Sequence, residues 1–282
     1  ANKPKILPRF IFDLNSVNSK NKINFNTYGE LVSLHRTKGT ETNKFFINQN
    51  FLFPTVLGDG TALEFGTHLN AGFYNINKYQ NPINGTFEYS KNRFNAYPVF
   101  SLKVNKPYYK NTKKYVTIIE PNLMFIKSNK NAFNRSIPDE NNISNFDLDY
   151  FDIFNINRLS GFDRFDNLSR VDYGLKIRKK TKEINFVSEV SVGQSYQLNN
   201  NNYIQANQGI SKKFSDFVGN LKIKPTEMIE LSSTFSLDQE KFSLKNAYTN
   251  LIFNVNKNSL TINNIHSPPV LNETGKAIIE GK

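Results

Sequence analysis

Hydrophobic and polar positions alternate along this chain with a period of two over most of its length. From Leu63 to Phe73 the odd positions are Leu63, Phe65, Thr67, Leu69, Ala71 and Phe73, and the even ones are Glu64, Gly66, His68, Asn70 and Gly72. In Phe94 to Val104 the even positions form the apolar set, and Ile184 to Leu198 alternates in the same way. Side chains of a strand point alternately to its two faces, so each segment predicts a strand with one apolar and one polar face. Further strands are predicted at Ile6–Leu14, Ile23–Arg36, Lys44–Phe53, Tyr115–Lys127, Val171–Arg178, Phe217–Ile223, Ile229–Leu237, Ala247–Val255 and Leu260–His266. The total is roughly twelve, and no amphipathic helix competes with them.

Several of these segments exceed ten residues, whereas strands of water-soluble domains are usually about 5–6 residues long. A tilted strand needs about 9–11 residues to cross a bilayer. The polar face is made of Asn, Ser, Gln, Lys, Glu and Gly. A soluble sandwich would need a second sheet to cover each apolar face, whereas in a membrane barrel lipid covers it and the polar face lines a wet lumen. Aromatic residues at strand ends (Phe51 and Phe53, Tyr108 and Tyr109, Tyr196) favour the barrel. The expected fold is all-β: an antiparallel transmembrane β-barrel, about twelve strands of a larger one, spanning residues 1–282 and incomplete at both ends. Short connections such as Asp238–Lys241 and Asn256–Ser259 suit periplasmic turns. The long, charged stretch from about 128 to 169 suits an extracellular loop.

Composition sharpens this picture. Only 38% of residues are hydrophobic, yet there are 25 Phe and 13 Tyr, so the apolar residues are spread thinly and regularly. No run of about 18 apolar residues forms a transmembrane helix, and the start lacks the apolar core of a signal peptide. Cysteine is absent, which excludes disulfides and thiolate chemistry within these residues. The net charge of +12 admits nucleic acid, an anionic membrane surface, or simply a solvated basic surface in an Asn- and Lys-rich chain. The Lys- and Tyr-rich segment around Lys103–Lys114 has no nucleic-acid fold motif beside it and reads as a solvated loop.

Candidate chemistry is sparse. His35, His68 and His266 lie far apart, and no phosphate loop, nucleophile elbow or HExxH is present, so neither cofactor nor metal is expected and no enzyme is read here. Val171, Tyr173, Leu175 and Ile177 share one face of a strand. Asp172, Gly174, Lys176 and Arg178 share the other, which makes Lys176 and Arg178 lumen-facing cations. Pro98 and Pro121 fall inside strand patterns, and Pro4 and Pro8 at the first strand. Proline cannot donate to a ladder, so each marks a bulge, an edge or weakened pairing.

Four segments in order carry a family resemblance. They are Tyr97-Pro98-Val99-Phe100-Ser101-Leu102; Ile119-Glu120-Pro121-Asn122-Leu123; Asn157-Arg158-Leu159-Ser160-Gly161-Phe162-Asp163-Arg164 followed by Arg170-Val171-Asp172-Tyr173-Gly174-Leu175; and Val192-Gly193-Gln194-Ser195-Tyr196. Together they resemble the LptD family of outer-membrane lipopolysaccharide assembly proteins. The chain departs from the family pattern at Phe165 and at Asn167-Leu168-Ser169. The resemblance implies an integral protein of the Gram-negative outer membrane that inserts lipopolysaccharide into the outer leaflet. Transport would be non-covalent, with sugars crossing a polar lumen and acyl chains leaving laterally through a seam weakened by prolines. It implies three partners: lipopolysaccharide, an LptE-like plug lipoprotein, and an LptA-like periplasmic bridge reached through a separate N-terminal domain. It marks Asn157, Arg158, Gly161, Asp163, Arg164, Arg170 and Gly174 as a loop signature. Two roles are open for its Gly161–Arg164 part: Asp163 and Arg164 pair with lumen or loop groups and fold the loop back as a lid, or the segment is a folding determinant with no substrate contact. Without the resemblance, a general porin or receptor barrel for small solutes explains the same alternation.

Overall fold

The computed structural model describes residues 5–18, 23–37, 39–80, 87–88, 91–128, 148–158, 169–182, 186–199, 213–255 and 257–267. The chain forms β1 (Lys5–Asn18), β2 (Ile23–His35), β3 (Glu41–Val56), β4 (Ala62–Asn77), β5 (Tyr79–Gln80), β6 (Phe87–Glu88), β7 (Lys91–Asn105), β8 (Tyr108–Asn111), β9 (Tyr115–Ser128), the short helix α1 (Tyr150–Ile153), β10 (Arg170–Thr181), β11 (Val187–Gln197), β12 (Phe217–Lys224), β13 (Ile229–Leu237), β14 (Leu244–Val255) and β15 (Asn258–His266). Twelve strands follow one another in a single antiparallel meander, β1-β2-β3-β4-β7-β9-β10-β11-β12-β13-β14-β15. β8 adds to the free flank of β9, and β5 pairs with β6 apart from the sheet. Among the described residues β1 and β15 are not paired with each other, so the sheet is open.

The two faces invert the usual logic of a core. Among the described residues, twenty polar or charged side chains are buried, against twelve apolar ones. The large exposed side chains include Phe10, Phe12, Phe45, Phe65, Phe73, Phe94, Phe100, Phe125, Leu175 and Val192. Register places these on one side: Phe45 lies opposite Phe73, Phe73 opposite Phe94, and Leu175 opposite Val192. Cross-strand partners share a face, so this outer face is a continuous apolar surface. The inner face carries His68, Asn70, Ser101, Arg170, Asp172, Ser191 and Ser195, all buried. A surface of exposed Phe and Leu is unfavourable in water and favourable in hydrocarbon, which is the arrangement of a membrane-spanning sheet.

Connections differ by end. At one end they run 19–22, 57–61, 106–114, 182–186, 225–228 and 256–257; at the other, 36–40, 78–90, 129–169, 198–216 and 238–243. The second end therefore carries every long connection. A meander alternates ends, so the turn at Asp238–Lys241 lies at the long-connection end. Its expected grouping with the Asn256–Ser259 turn is corrected, since one strand, β14, separates the two.

Two further expectations change. Tyr108–Asn111, expected to be a loop, pairs with Val116–Ile119 of β9 as β8. The long connection contains α1, whose first turn is capped by Asp149: its Oδ1 accepts from the Phe151 and Asp152 amides at 2.7 and 2.8 Å.

Candidate functional site

The described part of the long connection, residues 148–158, lies against the inner face. Leu148, Tyr150 and Ile153 form a buried cluster with Val218 of β12, and Phe154 packs against it. Phe154 and Ile156 also pack on Val99, Met124 and Ile126 of β7 and β9. The sheet makes room with two glycines. Gly174 of β10 lies directly opposite Gly193 of β11. A Cβ on Gly193 would fall 2.4 Å from Ile153 Cδ1, and one on Gly174 would fall 3.0 Å from the Tyr150 ring and 2.8 Å from the Val192 carbonyl oxygen. The seat exists only because neither residue has a side chain. Asn122 of β9 completes it by donating to the Tyr150 hydroxyl at 3.3 Å.

A buried polar network holds the far end of this segment. Arg170 and Asp172 are both fully buried and pair at 2.8 Å. The Arg170 guanidinium also donates to the main-chain carbonyls of Asn155 and of Ile156, the latter at 3.3 Å. Asp172 accepts from Ser195 Oγ at 2.5 Å, and Arg158 Nη1 donates to the same hydroxyl at 3.2 Å. Such a pair tolerates burial because its remaining donors and acceptors are used, and here two of those donors go to loop carbonyls. Ser169 then stitches the returning chain to β9: it exchanges hydrogen bonds with the Ser128 amide and carbonyl, both at 3.1 Å. Burial and the neighbouring Asp149 charge raise the pKa of Asp152, on the loop side of this network.

The expected site residues are placed as follows. Arg158, Arg170 and Gly174 meet in this constellation, and Asn157 precedes Arg158 at its margin, half-buried. Gly161, Asp163, Arg164 and Pro4 lie outside the described residues. Lys176 and Arg178 are on the inner face, but both pair with Glu189, at 2.8 and 2.9 Å, so part of their charge is neutralised. Asp172, Ser195, Gly193 and Tyr150 were not anticipated as site residues. Their signal is cross-strand register, which joins two of the resemblance segments, Arg170–Leu175 and Val192–Tyr196, residue against residue.

The prolines lie in two places. Pro8 sits at a register shift between Ile6 and Arg9 in β1, the edge strand. Pro98 and Pro121 bound the β7–β9 ladder, which runs only from Val99–Ser128 to Asn105–Asn122. Lys106 N–H donates to the Pro121 carbonyl at 3.3 Å, so residue 121 directs its backbone groups at β7. By strand alternation the even positions of β7 point at β9. Both prolines therefore withhold a donor from the same seam.

His68 is fully engaged, with Nδ1 2.8 Å from Asn50 Oδ1 and Nε2 3.1 Å from Ser101 Oγ. Among the described residues no cluster of His, Cys, Asp or Glu could hold a metal ion.

The family LptD, described as LPS transport system D, matches residues 1–277. This chain belongs to the LptD family. It thus takes part in lipopolysaccharide transport to the outer membrane, with lipopolysaccharide as the substrate of that machinery, and its all-β sheet fits the outer-membrane β-barrel of the family. No curated protein matches the chain. The converging segments of the LptD resemblance now have a common location: β7, β9, β10 and β11 are adjacent strands, and residues 148–158 lie across them.

Proposed function

We propose that this chain forms part of a translocon wall that delivers lipopolysaccharide to the outer leaflet, with sugars passing along the inner face and acyl chains leaving laterally at the β1 edge. Lateral exit needs an edge that opens, and the Pro8 bulge in β1 reduces its pairing. Sugars and phosphates need hydration, which the polar inner face supplies. The end with the long connections faces outward and the end with short turns faces the periplasm. Residues 148–158 act as an internal lid over β9 to β12. The LptE-like plug would occupy the remaining lumen, and an LptA-like bridge would supply substrate from the periplasmic end.

The observation that carries the reading is the loop seated on Gly174 and Gly193 by a buried ion pair. A loop so seated narrows the lumen, which argues against a wide open channel. The test is photo-crosslinking in cells, with a photoreactive residue placed at Asn220 on the inner face or at Leu221 on the outer face. Lipopolysaccharide adducts at position 220 that require ongoing transport support the reading. Adducts at neither position, together with conductance to small solutes, would favour a porin.

A further inference from the structure

We propose that the short-connection end of β8, β9 and β10 carries, on its outer face, a binding site for an anionic phospholipid of the inner leaflet. The site is read from register. Thr117 of β9 lies opposite Lys110 of β8 on one side and Lys179 of β10 on the other. Partners across antiparallel strands share a face, and Thr117 shares its face with Ile119, which is exposed on the apolar side. Both lysines thus stand in one row on the lipid-facing wall, with strands about 4.8 Å apart and their Cα atoms about 10 Å from each other. One phosphate fits between two flexible ammonium groups at that spacing.

The rows above continue the pattern. Two residues further into the membrane stand Tyr108, Ile119 and Ile177, again opposite one another. Beyond them comes the row of Pro121, Leu175 and Val192. Here the outer face sinks into a groove of about 650 Å³, walled by Val104, Pro121, Leu123, Leu175, Val192 and Phe217. From the lysine row to the groove is four residues, or about 13 Å at the strand rise. Cation, then aromatic, then apolar hollow is the order of a phospholipid's headgroup, interfacial region and acyl chain. Lys179 Nζ also lies 4.1 Å from the centre of the Tyr115 ring, so the girdle is built and not a chance pair of charges. At the groove's margin, Lys106 is drawn away to Asp59, 2.6 Å distant, which leaves the hollow apolar.

The occupant is settled by place and charge. An outward groove at this depth holds hydrocarbon, because nothing else is there. Two lysines at the headgroup level favour a net-negative phospholipid such as phosphatidylglycerol over zwitterionic phosphatidylethanolamine, by about thirtyfold for two basic groups near a bilayer surface. The inner-leaflet occupant rests on the periplasmic placement of the short turns proposed above.

The test is native mass spectrometry of the folded full chain in micelles doped with phosphatidylglycerol, phosphatidylethanolamine or lipid A. Wild type should retain phosphatidylglycerol about thirtyfold more strongly than phosphatidylethanolamine, and Lys110→Gln/Lys179→Gln should bring the two to parity. Lys257→Gln, at another turn of the same end, should change nothing. As a second readout, Val192→Trp places the chain's sole tryptophan in the groove, since the sequence has none. Phosphatidylglycerol with dibrominated acyl chains should quench it more than the matching phosphatidylethanolamine, and the double lysine variant should abolish the difference. Unchanged preference in that variant, or equal quenching by both lipids, overturns the site. Stronger retention of lipid A than of phosphatidylglycerol overturns the inner-leaflet occupant. None of these readouts uses lipopolysaccharide transport, so a failure of the translocon reading is recorded separately.

Discussion

Gly174 and Gly193 face each other across β10 and β11, and the side chain of Ile153 occupies the space that a Cβ on Gly193 would take. A strand interior gains nothing from glycine in propensity or packing, so this pair is explained by what rests on it. The consequence is a flat patch where a loop lies directly on main chain.

Replacing Gly193 with Val should therefore unseat the loop even though Val is the better strand former. The added Cβ would meet Ile153 Cδ1 at 2.4 Å and the Tyr173 carbonyl oxygen at 3.0 Å. The backbone cannot give way as a flexible side chain could, so the expected cost is about 1–3 kcal/mol of overpacking. Limited proteolysis should cut within residues 148–158 in the variant and not in wild type. Shortening the opposing side chain with Ile153→Ala should recover part of the loss in a Gly193→Ala background, which a double-mutant cycle on unfolding midpoints would detect.

Arg170 makes a second, distinguishable prediction. Arg170→Ala leaves Asp172 fully buried without its cation and frees the Asn155 and Ile156 carbonyls. About 3–5 kcal/mol of stability should be lost. Arg170→Met/Asp172→Leu removes both charges and should regain most of that stability. Its loop should nonetheless stay protease-sensitive, because no guanidinium reaches the loop carbonyls. If the double variant protects residues 148–158 as wild type does, Arg170 serves the wall and not the loop.

The difference between these residues and the strands shows how much the sequence carried. Period-two alternation located all twelve strands of the meander, because the sheet has an apolar outer face and a polar inner face. Edges moved by a few residues where alternation is polar on both faces, as at Asn43 and Asn75. β8 was missed because Tyr108, Tyr109, Lys110 and Asn111 show no apolar–polar contrast. α1 was missed because four residues are too few for a helical period, and its marker was the Asp149 cap. The site was half legible. Arg158, Arg170 and Gly174 stood out through the family resemblance, whereas Asp172, Gly193 and Ser195 acquire meaning only from register, which no single strand encodes.

The turn at Asp238 gives a pH prediction outside the membrane. Amides of Lys241 and Glu240 donate to its carboxylate, and with Lys245 nearby they lower its pKa from 3.8 to about 2. A depressed carboxyl pKa means that the ionised form favours the folded turn. That contribution is full above about pH 4 and is lost as the pH falls towards 2. Hydrogen exchange at the Lys241 amide, corrected for the intrinsic rate, should be slow at pH 5 and accelerate over that window. In Asp238→Ala the amide should exchange fast throughout. A Lys241 amide equally protected at pH 2 and pH 5 would show that the carboxylate does not hold the turn.

Pro121 is the most economical test of the β7–β9 seam. Its carbonyl accepts from Lys106, and the reciprocal donor is missing because the residue is proline. The ladder ends one pair away, at Asn105–Asn122, and β8 takes over the flank of β9 beyond it. Pro121→Val supplies the donor and keeps the outward apolar side chain. One added backbone hydrogen bond is worth about 1 kcal/mol, so amide exchange at the Lys106 and Asn122 positions should slow about fivefold. The same change should lower lipopolysaccharide delivery in cells if the wall must flex at this seam, and leave it intact if flexing is confined to β1. Unaltered exchange would mean that the Pro121 backbone does not point into the seam, contrary to the alternation on which the assignment rests.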